Sequence, residues 1–162
     1  ESETLVYATI STGINGARIV RGTLADPGVY GYEIGHQYID IDKTLCAKCE
    51  RGTAIEYCSG ADMERQCGKK PYEVTDKAVW EEKARYVAYM LHNTIVHWSP
   101  DTVVLGGSMV TGSPGIAIAR VEHYLREIMY IFPHIPVLKQ AALEDIGGLY
   151  GAMEFCKQKH GA

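Results

Sequence analysis

No apolar run in this chain approaches the roughly 20 residues needed to cross a bilayer, so a membrane span is not expected. No charged-then-apolar segment at the N-terminus resembles a secretory leader. No cluster of Lys and Arg exceeds a few residues and the net charge is −4, which disfavours a nucleic-acid surface. Internal repeats and low-complexity linkers are missing too, so residues 1–162 are expected to form a single domain. Met is missing at position 1, and a chain that starts at Glu1 reads as a fragment or a processed product.

What is present is ordinary for a globular protein with a real core: 46% hydrophobic and 22% charged residues. The five cysteines come without a leader, so the Cys46-x-x-Cys49 pair reads as metal or redox chemistry before disulfides. A cytoplasmic location is expected on the same ground.

The β-branched and aromatic run Leu5–Ile10 reads as a buried strand, and Ala17–Val20 as its hairpin partner across a turn with two glycines. Asp26-Pro27-Gly28 and Gly31 break the chain again. Gln37–Ile41 alternates polar and apolar residues and predicts a half-buried strand. Thr53 to Cys67 predicts a helix stopped by Gly68. Thr75-Asp76 predicts the cap of a longer helix running to about Trp98. The stripe Trp80, Ala84, Val87, Ala88, Leu91, Ile95 and Trp98 has spacings of three and four, which place it on one face. Asp101–Gly107 predicts a strand, Gly115–Tyr130 a helix, Pro136–Gln140 a strand and Gly147–Lys159 a last helix, with Cys156 in the core. The order of elements predicts an α/β fold with a mixed β-sheet flanked by helices.

Three glycine turns stand out. Ser11-Thr12-Gly13-Ile14-Asn15-Gly16 and Leu105-Gly106-Gly107-Ser108 each follow a strand, and Gly147-Gly148 opens a helix. Glycines let backbone N–H groups approach an anion, and open sheets collect ligands beyond the carboxyl ends of their strands. None matches a Walker or Rossmann pattern, and no lysine follows. Each alone reads first as a plain turn; the three together bring a nucleotide level with that reading.

The richest segment runs from Glu33 to Glu56. Cys46 and Cys49 have zinc-knuckle spacing, and His36 lies upstream. Cys58 is the nearest fourth ligand, with Cys67 behind it. The competing reading makes these thiols small buried hydrophobes and His36 a turn residue. A histidine N–H beside the carboxylates Glu33 and Glu56 suits vicinal hydroxyls, each of which both donates and accepts. That combination describes a sugar site.

These residues together resemble the C-terminal half of the ROK family of sugar kinases and related repressors. Glu33-Ile34-Gly35-His36 matches its E-x-G-H sugar motif, and Tyr7–Gly16 is similar to its second phosphate loop. Glu56 through Ser59-Gly60, Val103–Gly107 and Gly147–Ala152 follow in the family's order. The resemblance implies a ribonuclease-H-like (actin/hexokinase-like) lobe. It places Glu33, His36 and Glu56 on the sugar, Thr12 and Gly13 on the ATP phosphates, and Gly106 and Gly107 on the adenosine. His36 and Cys46 fall at zinc-ligand positions.

There are departures. The family shows C-x-C-G-x-x-G-C, whereas the second cysteine here sits one residue later and Thr53 stands near the third. Asn15 and Ala17 replace glycines of the phosphate loop. Nothing here resembles the aspartate base or the first phosphate loop of the family's N-terminal lobe, so no catalytic residue is expected within these residues. The implied activity is phosphorylation of a hexose or N-acetylhexosamine by ATP with Mg2+, with a structural Zn2+ in this lobe. A homodimer through the long helices is compatible with the pattern. The alternatives are the sugar-sensing domain of a repressor and a zinc-stabilised interaction domain.

Overall fold

The computed structural model describes residues 2–25, 28, 31–143 and 146–160. Strand β1 (Thr4–Ile10) buries Val6, Ala8 and Ile10 on one face, the period-2 signature of a strand over a core. It pairs antiparallel with β2 (Ile14–Val20), and Ile10 faces Ile14 across a tight turn. A short β3 (Thr23–Leu24) lies at the sheet edge. The expected break at Asp26-Pro27 lies outside the described residues.

The expected helix from Thr53 is two helices, α1 (Ala54–Cys58) and α2 (Gly60–Cys67). Ser59 is extended between them and caps α2, its hydroxyl accepting from Asp62 N at 3.1 Å. Gly68 ends α2 in the left-handed region at φ 66°. Helix α3 (Lys77–Trp98) starts where Asp76 accepts from Ala78 N at 2.9 Å, and stops at Ser99 before Pro100. Its expected stripe is buried from Trp80 to Ile95, while Trp98 is only partly covered. Tyr86, Met90 and Lys83 are buried as well, so the covered face is wider than a single stripe. A fully buried side chain such as Leu91 contributes about 1.5–3 kcal/mol.

Strand β4 (Thr102–Gly106) runs into the four-residue helix α4 (Ser108–Thr111), which the pattern did not suggest. Helix α5 (Ile118–Ile128) packs on α3, burying Val121 and Leu125. Glu81 joins these helices, accepting from Arg120 Nε at 2.7 Å and from the Tyr124 hydroxyl at 2.6 Å. Strand β5 (Val137–Gln140) completes a sheet of order β3-β2-β1-β4-β5, in which β1, β4 and β5 are mutually parallel.

Two expectations fail. Gln37–Ile41 is not a strand: it makes one bridge, Tyr38 to Thr53, and both Ile39 N and Asp40 N donate to Gly52 O. The alternation does not map onto burial: Asp40 is drawn inward as a hydrogen-bond hub, while Ile41 is 77% exposed. Helix α6 (Gly147–His160) exists, yet none of its residues is buried and Cys156 is exposed rather than in the core. Its Gln158 Nε2 donates to Gly22 O at 3.0 Å.

Candidate functional site

Because β1 and β4 are parallel and Thr9 pairs with Gly106, their carboxyl ends lie side by side. That register brings two sequence-distant glycine turns together. Ser11 Oγ sits 2.9 Å from Ser108 Oγ, so Ser11-Thr12-Gly13 and Gly106-Gly107-Ser108 share one edge. Gly107 is held at φ 86° and ψ 157°, a region open essentially to glycine alone, and a Cβ there would meet the Ile10 carbonyl.

The start of α2 closes the same edge. Gly60 N donates to Ser11 O at 2.7 Å and Ala61 N to Thr12 O at 3.1 Å. With Asp62 N held by Ser59 Oγ, the first N–H groups of α2 are spent on the turn and its own cap. The helix therefore clamps the Ser11–Gly13 turn. This contact was invisible in the sequence, since nothing local couples residue 11 to residue 60.

Glu33 and His36 flank a single 3-10 turn, Ile34–His36. Ile34 is buried and plugs this turn into the hairpin; a Cβ on Gly35 would stand 2.7 Å from Ile14 O, so only glycine permits the approach. The two polar side chains project outward, with His36 Nε2 3.9 Å from Glu33 Oε2. Both are more than half exposed, which leaves their hydrogen-bonding atoms open to a ligand.

Glu56 faces elsewhere. Its Oε2 accepts from Arg51 N at 2.8 Å, Gly52 N at 3.0 Å and the Thr53 hydroxyl at 3.4 Å. Burial pushes this carboxyl up, but those N–H groups and the Arg51 charge outweigh it, and the net shift is downward. Thr53-Ala-Ile-Glu56 is the T-x-x-E pattern of a helix start, a signal present in the sequence.

The expected zinc ligands do not converge. Cys46 and Cys49 are neighbours closed by a turn, Cys49 N donating to Cys46 O at 3.3 Å. Cys58 is fully buried and turns back into its own helix, its thiol donating to Ala54 O at 3.1 Å. Burial pushes that thiol up to about 12. Among the described residues, no three His, Cys, Asp or Glu side chains gather as a metal site requires. Of the expected set His36, Cys46, Cys49 and Cys58, the structure places only the two knuckle thiols side by side, and Cys58 bonds within its own helix.

Around those thiols stands a polar knot that no local pattern announced. Asp62 Oδ1 accepts from Arg65 Nη2 at 2.6 Å, and Asp62 Oδ2 accepts from Lys83 Nζ at 2.9 Å. Gln66 Nε2 donates to both oxygens at 2.9 Å. Lys83 is entirely buried and also donates to Tyr57 O at 2.7 Å.

Asp40 is a second hub. Its oxygens accept from Thr44 N at 3.0 Å, the Thr44 hydroxyl at 3.1 Å, Leu45 N at 2.8 Å and the Tyr57 hydroxyl at 2.7 Å. Burial pushes its carboxyl up, yet these donors win and bring it from 3.8 down to about 2. A depressed folded-state pKa stabilises the protein above the unfolded value and is lost as pH falls through the folded one. The Asp40 contribution is therefore complete above pH 3.8 and disappears toward pH 2. In acid titrations followed by circular dichroism, Asp40→Asn is expected to be less stable at neutral pH and to lack this part of the acid limb. An unchanged acid profile would remove Asp40 from that role.

Two open hollows, of about 390 and 370 Å³, lie away from these groups. The first is lined by Tyr38, Tyr89, His92, Asn93 and Tyr130, and the second by Pro100, Asp101, Phe132 and His134 among others. Neither contains Glu33, His36 or a glycine turn. No helix among the described residues is long and apolar enough to cross a membrane.

The profile of the ROK family matches residues 1–159. A candidate fructokinase of Bacillus subtilis (strain 168) is 31% identical over 147 residues, covering 88% of this chain and 45% of that protein. The chain spans about half the length of the curated relatives it matches. The ROK hexokinase of Thermus thermophilus superposes with a TM-score of 0.79 at 23% identity, over 98% of this chain and 58% of that one. A ROK glucokinase of Streptomyces griseus, solved with glucose and AMPPNP, superposes with a TM-score of 0.74 at 20% identity, over 97% and 61%. The fold is thus the actin/hexokinase-like one.

Proposed function

The chain belongs to the ROK family, and from that premise we propose that it is the C-terminal lobe of a two-lobe sugar kinase that phosphorylates a hexose with ATP. The observation that carries this reading is the shared edge of the Ser11–Gly13 and Gly106–Ser108 turns, bound through Ser11 and Ser108. Such an edge suits a nucleotide, at the carboxyl ends of parallel strands. Thr12 and Gly13 meet the phosphates; Gly106 and Gly107 meet the nucleoside.

Glu33 and His36 bind vicinal hydroxyls, the carboxylate accepting and the imidazole donating. Glu56 serves the sugar side through the turn it holds, with Oε1 3.7 Å from Arg51 Nη1. In the reaction a sugar hydroxyl oxygen attacks the γ-phosphorus and the bond to the ADP oxygen breaks. The hydroxyl proton passes to a base supplied from outside these residues. Magnesium arrives with the nucleotide, and zinc has no part in this reading. The names of the relatives make fructose the first hexose to titrate.

Calorimetric titration of the chain with fructose and glucose tests the sugar half. Glu33→Gln is expected to weaken hexose binding by about 10-fold or more, the cost of a hydrogen bond to a charged group. Its melting temperature should stay within about 2 °C, because the side chain is exposed. Undiminished affinity in the variant would remove Glu33 from the site, and a wild-type chain that binds no hexose would overturn the sugar reading.

A further inference from the structure

The segment from Gln37 to Thr53 carries almost no regular structure: the Tyr38–Thr53 bridge and a few turn hydrogen bonds are its backbone order. A loop of that length inside a packed domain needs a staple. A tetrahedral metal would supply one, but the donors present do not fit it. His36 faces Glu33 and Cys58 bonds its own helix. At the two remaining thiols the neighbours are the Glu56 carbonyl, 3.3 Å from Cys49 Sγ, and side-chain N–H groups, which offer no electron pair to a cation. Gln66 Nε2 lies 3.7 Å from Cys46 Sγ and 3.8 Å from Cys49 Sγ. Arg65 Nη2 lies 3.6 Å from Cys49 Sγ and brings a fixed positive charge to the place where a divalent ion would sit.

We infer that this loop is stapled without metal, by two carboxylate hubs, Asp40 and Asp62, each of which gathers several chain segments at one point. Asp40 gathers Thr44 and Leu45 and joins them to α1 through Tyr57. Its backbone oxygen also accepts from Lys43 N. Asp62 gathers Arg65, Gln66 and Lys83, joining α2 to α3. Arg65 then reaches the loop, Nη1 donating to Lys48 O at 2.9 Å and Nη2 standing 3.6 Å from Cys49 Sγ, while the Gln66 amide, whose two N–H groups go first to Asp62, lies against the sulfurs at longer range. The Cys49 thiol in turn donates to Glu56 O at 3.3 Å, tying the loop to α1 at the rim of a protein-only knot. This inference is independent of the sugar reading, since it concerns what holds the loop and not what the surface binds.

The test uses the full chain, produced with zinc in the medium. Metal analysis is expected to find well under one zinc per chain, and a strong chelator should move the melting temperature by less than about 1 °C. Replacing both thiols, as C46S/C49S, should lower it by only a few degrees, because sulfur contacts at these distances are weak. Asp62→Asn should lower it by about 10 °C, since the buried Lys83 charge loses its partner. About one zinc per chain, lost in C46S/C49S and accompanied by melting on chelation, would overturn the inference. An unshifted Asp62→Asn would also overturn it. If Asp62→Asn does not fold, the metal content and the C46S/C49S melt decide the matter alone.

Discussion

Lys83→Met is expected to destabilise the protein by about 3 kcal/mol, because it removes one of the two cations on the buried Asp62 carboxylate and leaves Tyr57 O without its donor. The Lys83 and Asp62 side chains are 1% and 2% exposed and their charged atoms are 2.9 Å apart. Arg65 and Gln66 would remain on Asp62, but the amine also holds Tyr57 O, the last turn of α1. For a domain of this size the loss corresponds to a fall in melting temperature of roughly 10 °C.

The paired variant D62L/K83M should regain most of that loss, because removing both charges removes the burial cost as well. Denaturant titration of the two variants checks this. A Lys83→Met midpoint within about 1 kcal/mol of wild type would show that the pair is not structurally coupled. A second consequence follows from position: α2 clamps the Ser11–Gly13 turn through Gly60 N and Ala61 N. Loosening α2 should therefore increase amide exchange at Gly60 and Ala61 before it affects the far end of the sheet.

Gly107→Ala should cost about 1–3 kcal/mol in backbone strain and about as much again in overlap with the Ile10 carbonyl. The residue is at φ 86° and ψ 157°, and its Cβ position is filled by the backbone of β1. Relief of the overlap must move β4 away from β1 at their carboxyl ends, separating Ser108 from Ser11. Nucleotide affinity should fall with stability, which calorimetry with an ATP analogue can read.

Gly148→Ala is the contrasting control. It lies in a helix with nothing within 4 Å of its Cβ position, so alanine should stabilise by up to about 1 kcal/mol. If the two alanine variants behaved alike, the argument from conformation at Gly107 would be lost.

The helices and strands were legible because their signals are local. Asp76 capping α3, Gly68 ending α2 and the alternation in β1 each act within a few residues. The glycine turns and the Glu33-Ile-Gly-His36 motif were legible for the same reason. For Glu56 the resemblance pointed to the sugar, and the structure adds what the motif did not show: its carboxylate accepts from Arg51 N and Gly52 N in the turn before α1. Cys156, on the last helix, was expected in the core, but α6 has no buried face among the described residues.

The sequence by itself determined the main strands and long helices, the turn chemistry and the family, since each is written in short-range spacing and motif order. The tertiary structure alone decided which distant groups meet. It joined residue 11 to residue 108 through parallel register and to residue 60 through the start of α2. It turned Cys58 away from Cys46 and Cys49, and brought Lys83 across to Asp62. The physical reason is that a ligand set or a buried ion pair depends on chain closure over tens of residues. Which polar atoms are left to satisfy one another is settled only when the core has closed.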